Sequence, residues 1–139
     1  ENSRTPFQWN ASPNAGFTEG KPWLKVHPNH TTINAESQEN DTDSTLNYFR
    51  TLIQLRKKEP TLIYGSYTLL DEENEKVYAY LRELNGRKIV VLLNFTSQEA
   101  LFSIPISVVG AKILLSNYNQ KSIESNKLLP YEAAIIAIK

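Results

Sequence analysis

The fold class is written in KVYAYLRELNGRKIVVLLNF, residues 76–95. Val77, Ala79 and Leu81 alternate with Tyr78 and Tyr80, a period of two that puts the two sets on opposite faces of a strand. Asn85-Gly86 follows, the dipeptide that best tolerates the positive φ angles of a type I′ turn. The segment KIVVLLNF (88–95) is then apolar on both sides, as befits a central strand covered on both faces. The pattern predicts an antiparallel hairpin whose second arm lies deep in a sheet.

Downstream and upstream of that hairpin, short apolar runs alternate with turn signals. Strands are expected near 62–70, 99–104, 111–115 and 133–138, the last reading AAIIAI. Together they suggest a mainly β, two-layer antiparallel sandwich over residues 61–139, large enough to hold a modest core. Ahead of it lies a helix at 43–59. Asp43 or Ser44 can cap it, Leu46, Phe49 and Ile53 recur at helical spacing, and Tyr48, Leu52 and Leu55 widen the apolar face. Arg56, Lys57 and Lys58 suit the negative end of the helix dipole, and Pro60 stops the run. So broad an apolar face calls for a larger layer to rest on.

Residues 1–42 show no sustained period and are rich in Asn, Pro, Gly, Ser and Thr. Structureless connections longer than roughly 15 residues are uncommon in compact domains and are either functional or disordered. Disorder fits poorly with Phe7, Trp9, Phe17, Trp23, Leu24, Val26 and Ile33. A long ordered loop feeding an amphipathic helix matches a βα loop at the catalytic face of a (β/α)₈ barrel, followed by a barrel helix.

Composition narrows the function classes. Fifteen basic residues balance fifteen acidic ones in 139, so nothing favours nucleic acid or an anionic membrane as partner. No apolar run approaches the length of a membrane span. Cysteine is absent, which removes disulfide and thiolate chemistry. Methionine is absent too, so the chain is expected to be a piece of a longer polypeptide. His27 and His30 have a spacing that could ligate a metal on a turn, but no carboxylate or thiol cluster joins them, and no metal or cofactor is expected. Asp43 is explained by helix capping and Asp41 by solvation, while Asp71, Glu72, Glu73 and Glu75 read as a solvated hairpin turn. Four Asn-x-Ser/Thr triplets begin at Asn10, Asn29, Asn40 and Asn94, and the apolar strand around Asn94 argues against sugar there.

RTPFQWN (4–10), NAGFTEGKPWLKVHPN (14–29), INAES (33–37) and DSTLNYFRTLIQLRKKEPTLIYGSYTLL (43–70), in this order, resemble the C-terminal stretch of the α-amylase superfamily of glycoside hydrolases. The look is that of its α-glucosidase branch: oligo-1,6-glucosidases, dextran glucosidases, trehalose-6-phosphate hydrolases and sucrose isomerases. The closing LLSNYNQ and LLPYEAAIIAI (114–120 and 128–138) resemble the end of the same family's C-terminal sandwich, domain C. The resemblance implies that residues 1–60 are the last loop and last helix of a (β/α)₈ catalytic barrel, and 61–139 a Greek-key type domain C. It also implies a retaining enzyme, whose nucleophile and acid carboxylates sit on earlier barrel strands. No residue here is therefore expected to be catalytic, and this chain alone should be inactive.

Two residues remain candidates for substrate contact. Arg4 and Trp9, with Gln8, could border an outer sugar subsite, because aromatic faces and planar polar groups suit pyranose rings. The competing reading pins the loop with Arg4 and packs Phe7 and Trp9 beneath it. Trp23, after Pro22, reads as packing. Phe7 stands where oligo-1,6-glucosidases commonly have Met, and Asn10 where Asp is usual, which leaves linkage preference open. The implied partners are the rest of the barrel and an oligosaccharide or disaccharide substrate, with no nucleic acid and no membrane. A cytoplasmic location is expected. The alternatives are a sucrose isomerase, a non-enzymatic relative such as the ectodomain of an amino-acid transporter heavy chain, and an independent carbohydrate-binding module.

Overall fold

The computed structural model describes residues 2–139. They form two compact units, Glu1–Thr51 and Leu52–Lys139. Among the described residues no helix is long and apolar enough to cross a membrane.

The second unit is a two-layer antiparallel sandwich. Its strands are β1 (Ser66–Leu70), β2 (Val77–Leu84), β3 (Arg87–Asn94), β4 (Ala100–Leu101), β5 (Lys112–Ser116), β6 (Lys127–Leu128) and β7 (Ala133–Ile138). One sheet has the order β1-β2-β3-β7-β5, and β4 with β6 makes a small second sheet. The hairpin forms as its alternation predicts, running from Val77 opposite Asn94 to Leu84 opposite Arg87. Asn85 and Gly86 close it with φ of 49° and 81°, the positive pair that a type I′ turn needs.

Central β3 explains its own sequence. Val90 and Leu92 face the second layer, in a core with Val77, Ala79, Ile136, Phe102, Val108 and Leu128. Ile89 and Val91 point the other way and pack with Leu55, Leu62, Tyr80 and Ile135. Ile89, Val90 and Leu92 are fully buried, each contributing about 1.5–3 kcal/mol relative to exposure. β7 completes the sheet between β3 and β5, with Val91 opposite Ile135 and Ile113 opposite Ile136. A register shift between Ile113 and Leu115 bulges β5.

Three details differ from expectation. The run expected as strand at 62–70 opens as a helical turn, α3 (Thr61–Tyr64), before β1 begins at Ser66. Pro60, with φ −55° and ψ −28°, is already helical, so it starts this turn, and Leu62 is buried against β3. The strand expected at 99–104 pairs only over Ala100–Leu101, with one further backbone bond from Phe102 N–H to Asn126 O, before Pro105 removes a donor. Its partner β6 carries too short a pattern to announce itself.

The first unit holds α1 (Ala35–Glu39) and the first half of α2 (Thr45–Lys58), the helix that realises the one expected at 43–59. Ser44 rather than Asp43 caps α2, its Oγ accepting from Asn47 N–H at 3.2 Å. Asp41 is not merely solvated: its Oδ1 accepts from Asp43 N–H at 2.9 Å and shapes the turn before the cap. α1 was not anticipated. Its start is a capping box in which Asn34 Oδ1 accepts from Ser37 N–H at 2.8 Å and Ser37 Oγ accepts from Asn34 N–H at 3.3 Å.

Candidate functional site

Backbone geometry makes the aromatic heptapeptide rigid. Asn14, Ala15 and Gly16 form a left-handed run with φ of 53°, 57° and 67°. This run turns the chain so that Ala15 O accepts from both Trp9 N–H (2.9 Å) and Asn10 N–H (3.2 Å). Gly16 is required twice over, since its φ disfavours a side chain and a Cβ there would meet Asn10 Oδ1 at 2.6 Å. On the other side, Gln8 O and Trp9 O accept from Ala35 N–H and Glu36 N–H, the free donors at the start of α1. Gln8 Nε2 adds a hydrogen bond to Asn29 Oδ1 at 3.1 Å and another to Ile33 O. Residues 8–10 are therefore clamped between a tight turn and a helix N-terminus.

The aromatic side chains in and beside this clamped segment face outward. Phe7 and Trp9 are 56% and 54% exposed and meet edge to face with ring centroids 4.6 Å apart. Neither ring is buried beneath the loop among the described residues. Arg4 is brought to Trp23, its guanidinium carbon 4.7 Å from the ring centroid in a cation–π contact. Trp23, expected to pack, is 75% exposed, and it is the aromatic that sequence reasoning set aside. Its signal lay in GKPW: Pro22 disfavours helix at Lys21 and keeps the chain extended. Beside the heptapeptide a groove of about 540 Å³ runs between Pro6, Phe7, Ile33, Ala35, Leu46 and Phe49.

Both histidines of this unit are engaged in local structure. His27 Nδ1 lies 2.5 Å from Asn29 Oδ1, and His30 Nδ1 lies 3.1 Å from His27 O, so both imidazoles hold their own turn. Among the described residues no group of three or more His, Cys, Asp or Glu could hold a metal ion. Glu39 pairs with Arg50 at 2.5 Å, and that hydrogen bond holds its carboxyl below the usual range. The arrangement offers open aromatic faces and a guanidinium on a rigid backbone.

Residues 1–65 match the family model for the α-amylase catalytic domain, and residues 67–135 match that for the maltogenic amylase C-terminal domain. A probable oligo-1,6-glucosidase 2 of Bacillus subtilis is 41% identical over 138 residues, covering 97% of this chain and 25% of that protein. The oligo-1,6-glucosidase of Bacillus cereus is 40% identical over 143 residues, covering 100% of this chain and 26% of that protein. The crystal structure of an isomaltulose synthase from Protaminobacter rubrum superposes with a TM-score of 0.91 at 42% identity, covering 99% of this chain and 25% of that one. The chain thus spans about a quarter of the length of the relatives it matches.

Proposed function

We propose that the chain belongs to the α-amylase family of glycoside hydrolases, and from that premise that it is the C-terminal portion of a retaining α-glucosidase acting on short α-glucosides. Residues 1–60 are assigned to the last loop and last helix of a (β/α)₈ barrel, and 61–139 to domain C. In a retaining enzyme two carboxyl groups stand roughly 5–5.5 Å apart, one attacking the anomeric carbon and one protonating the leaving oxygen. Both belong to the part of the enzyme outside these residues. This portion stabilises the barrel and shapes the mouth of its active site. A cytoplasmic location is part of this proposal.

Arg4 and Trp9 are assigned to an outer sugar subsite. The observation that carries this is the rigid presentation of open aromatic rings at residues 7–10, a segment fixed by hydrogen bonds at Ala15, Ala35 and Glu36. Rings left in water on a preorganised backbone can stack on a sugar without a further ordering cost. A second reading, a sucrose isomerase, is favoured by the likeness to an isomaltulose synthase structure.

One kinetic experiment on the full-length enzyme serves both. Trp9→Ala should raise KM for a disaccharide roughly tenfold, equivalent to about 1.4 kcal/mol, and leave kcat nearly unchanged. An unchanged KM removes Trp9 from the subsite. Products formed from sucrose separate the two readings: glucose and fructose for a hydrolase, an isomer of sucrose for the alternative.

A further inference from the structure

Burial alternates along residues 21–27. Pro22, Leu24 and Val26 are half-buried, while Lys21, Trp23, Lys25 and His27 are exposed. Trp23 therefore stands on the polar side of its segment, between two lysines, with 75% of its surface open. An indole that docks on protein needs apolar surroundings, because charged residues are depleted at the core of a protein interface. The neighbours of this one are cations.

The segment is also held in place before any ligand arrives. Upstream, Asn14 Nδ2 donates to Thr18 O and Gly20 O, each at 3.0 Å, and Gly20 N–H donates to Thr18 Oγ1 at 3.1 Å. Pro22 then fixes its own φ. Downstream, His27 Nδ1 accepts from Asn29 N–H at 3.3 Å. Arg4 lays its guanidinium over one face of the Trp23 ring, 4.7 Å from the centroid, which leaves the other face to a ligand. Arg4 and Trp9 belong to one heptapeptide, and five residue steps span at most about 18 Å. Two open indoles, Trp9 directly and Trp23 through Arg4, are thus tethered within reach of one short oligosaccharide.

We infer that Trp23 is a second sugar platform, which stacks a glucose unit beyond the one that meets Trp9 and makes the enzyme select for chain length. The inference deepens the proposed reading of Arg4 and Trp9 as an outer sugar subsite and rests on it. Chemistry identifies the occupant. A pyranose offers a flat face of C–H groups to the electron-rich face of an indole. Its rim of hydroxyls can accept from Lys21 and Lys25, whose ammonium groups are donors only. The greater exposure of Trp23, 75% against 54% for Trp9, sets it as the outer of the two. A ring already ordered by its backbone and by Arg4 stacks on a sugar with little further ordering cost.

Chain-length selectivity of the full-length enzyme tests the platform. The readout is kcat/KM for a tetrasaccharide divided by kcat/KM for a disaccharide of the same linkage. Trp23→Ala should lower this ratio about tenfold, and Trp23→Tyr, which keeps a ring, should restore most of it. An unchanged ratio in an enzyme that still cleaves α-glucosides, whether both substrates suffer equally or neither does, overturns the inference and leaves the proposed function standing. Oxidation of Trp23 by N-bromosuccinimide, read by peptide mass spectrometry on the unaltered enzyme, does not depend on a variant's folding. An uncleaved thio-linked glucotetraoside should protect Trp23, and the matching bioside much less. Equal protection by the two, or none by either, would overturn the inference. A Trp23 inert to the reagent without ligand would mean that another part of the polypeptide covers it, and the inference would also fall. Inactivity on every α-glucoside would overturn the proposed function, while protection by the tetraoside would still uphold the platform.

Discussion

Asn94 condenses the logic of the sandwich into one side chain. It is nearly fully buried, and all four of its amide valences are used. Its Nδ2 donates to Gln98 O at 2.7 Å and Leu129 O at 2.8 Å, while Oδ1 accepts from Thr96 N–H and Thr96 Oγ1, each at 2.9 Å. One amide thereby ties the end of β3 to the turn after it and to the segment before β7. Replacing it by alanine removes all four hydrogen bonds and leaves Thr96 N–H without this acceptor, while Gln98 O and Leu129 O keep those from Thr96 Oγ1 (3.0 Å) and Glu132 N–H (3.1 Å). Asn94→Ala should therefore cost about 2–4 kcal/mol in urea unfolding. A loss below about 0.5 kcal/mol, the range of ordinary surface changes, would contradict this account. Burial of Asn94 was legible from the apolar strand around it, and so was its unsuitability as a glycosylation site. Its partners were not. Leu129 lies 35 residues away, a distance that no local pattern encodes. The left-handed Asn14–Gly16 run was equally silent, because Ala15 at φ 57° is not a residue that advertises such a conformation.

At the scale of elements, the junction between α2 and α3 carries the most specific electrostatics. Arg56 Nη1 donates to Leu62 O at 2.9 Å, so a cation placed for the end of α2 also serves the end of α3. Glu59 lies between the two helices and accepts from Arg87 Nη2 of β3 at 3.1 Å. Burial pushes its carboxyl up, but hydrogen bonds from Arg87 and Thr61 outweigh it, and the net direction is below the ordinary value of 4.5. A carboxylate with a depressed folded pKa contributes stability that is full above its unfolded value and lost as pH falls through the folded one. Acid unfolding of the chain should thus steepen below pH 4.5, and Glu59→Gln should flatten that limb while lowering stability at neutral pH. Parallel acid limbs for the two proteins, followed by circular dichroism, would exclude the mechanism. Helix α2 and the β2–β3 hairpin were readable because long periodic patterns leave little choice. Leu62-Ile63-Tyr64 was not, since three apolar residues fit a helical turn and a strand equally well.

For the molecule as a whole, the tryptophans are placed lopsidedly. Both tryptophans, Trp9 and Trp23, fall in the unit Glu1–Thr51, and both are more than half exposed. The folded chain should show solvent-like tryptophan emission, open to acrylamide and little shifted by urea, while circular dichroism reports a cooperative loss of the sheet. Blue-shifted, protected emission would mean that these rings pack away. The position of β7 has a further consequence. Residues 133–138 supply the strand that separates β3 from β5, so neither strand has its full set of neighbours until those residues leave the ribosome. During synthesis the hairpin therefore waits with one flank of β3 unpaired, a nascent edge of Ile89, Val91 and Leu93 open to any passing strand. The order of translation, more than the depth of the finished core, sets when this protein is most vulnerable to aggregation.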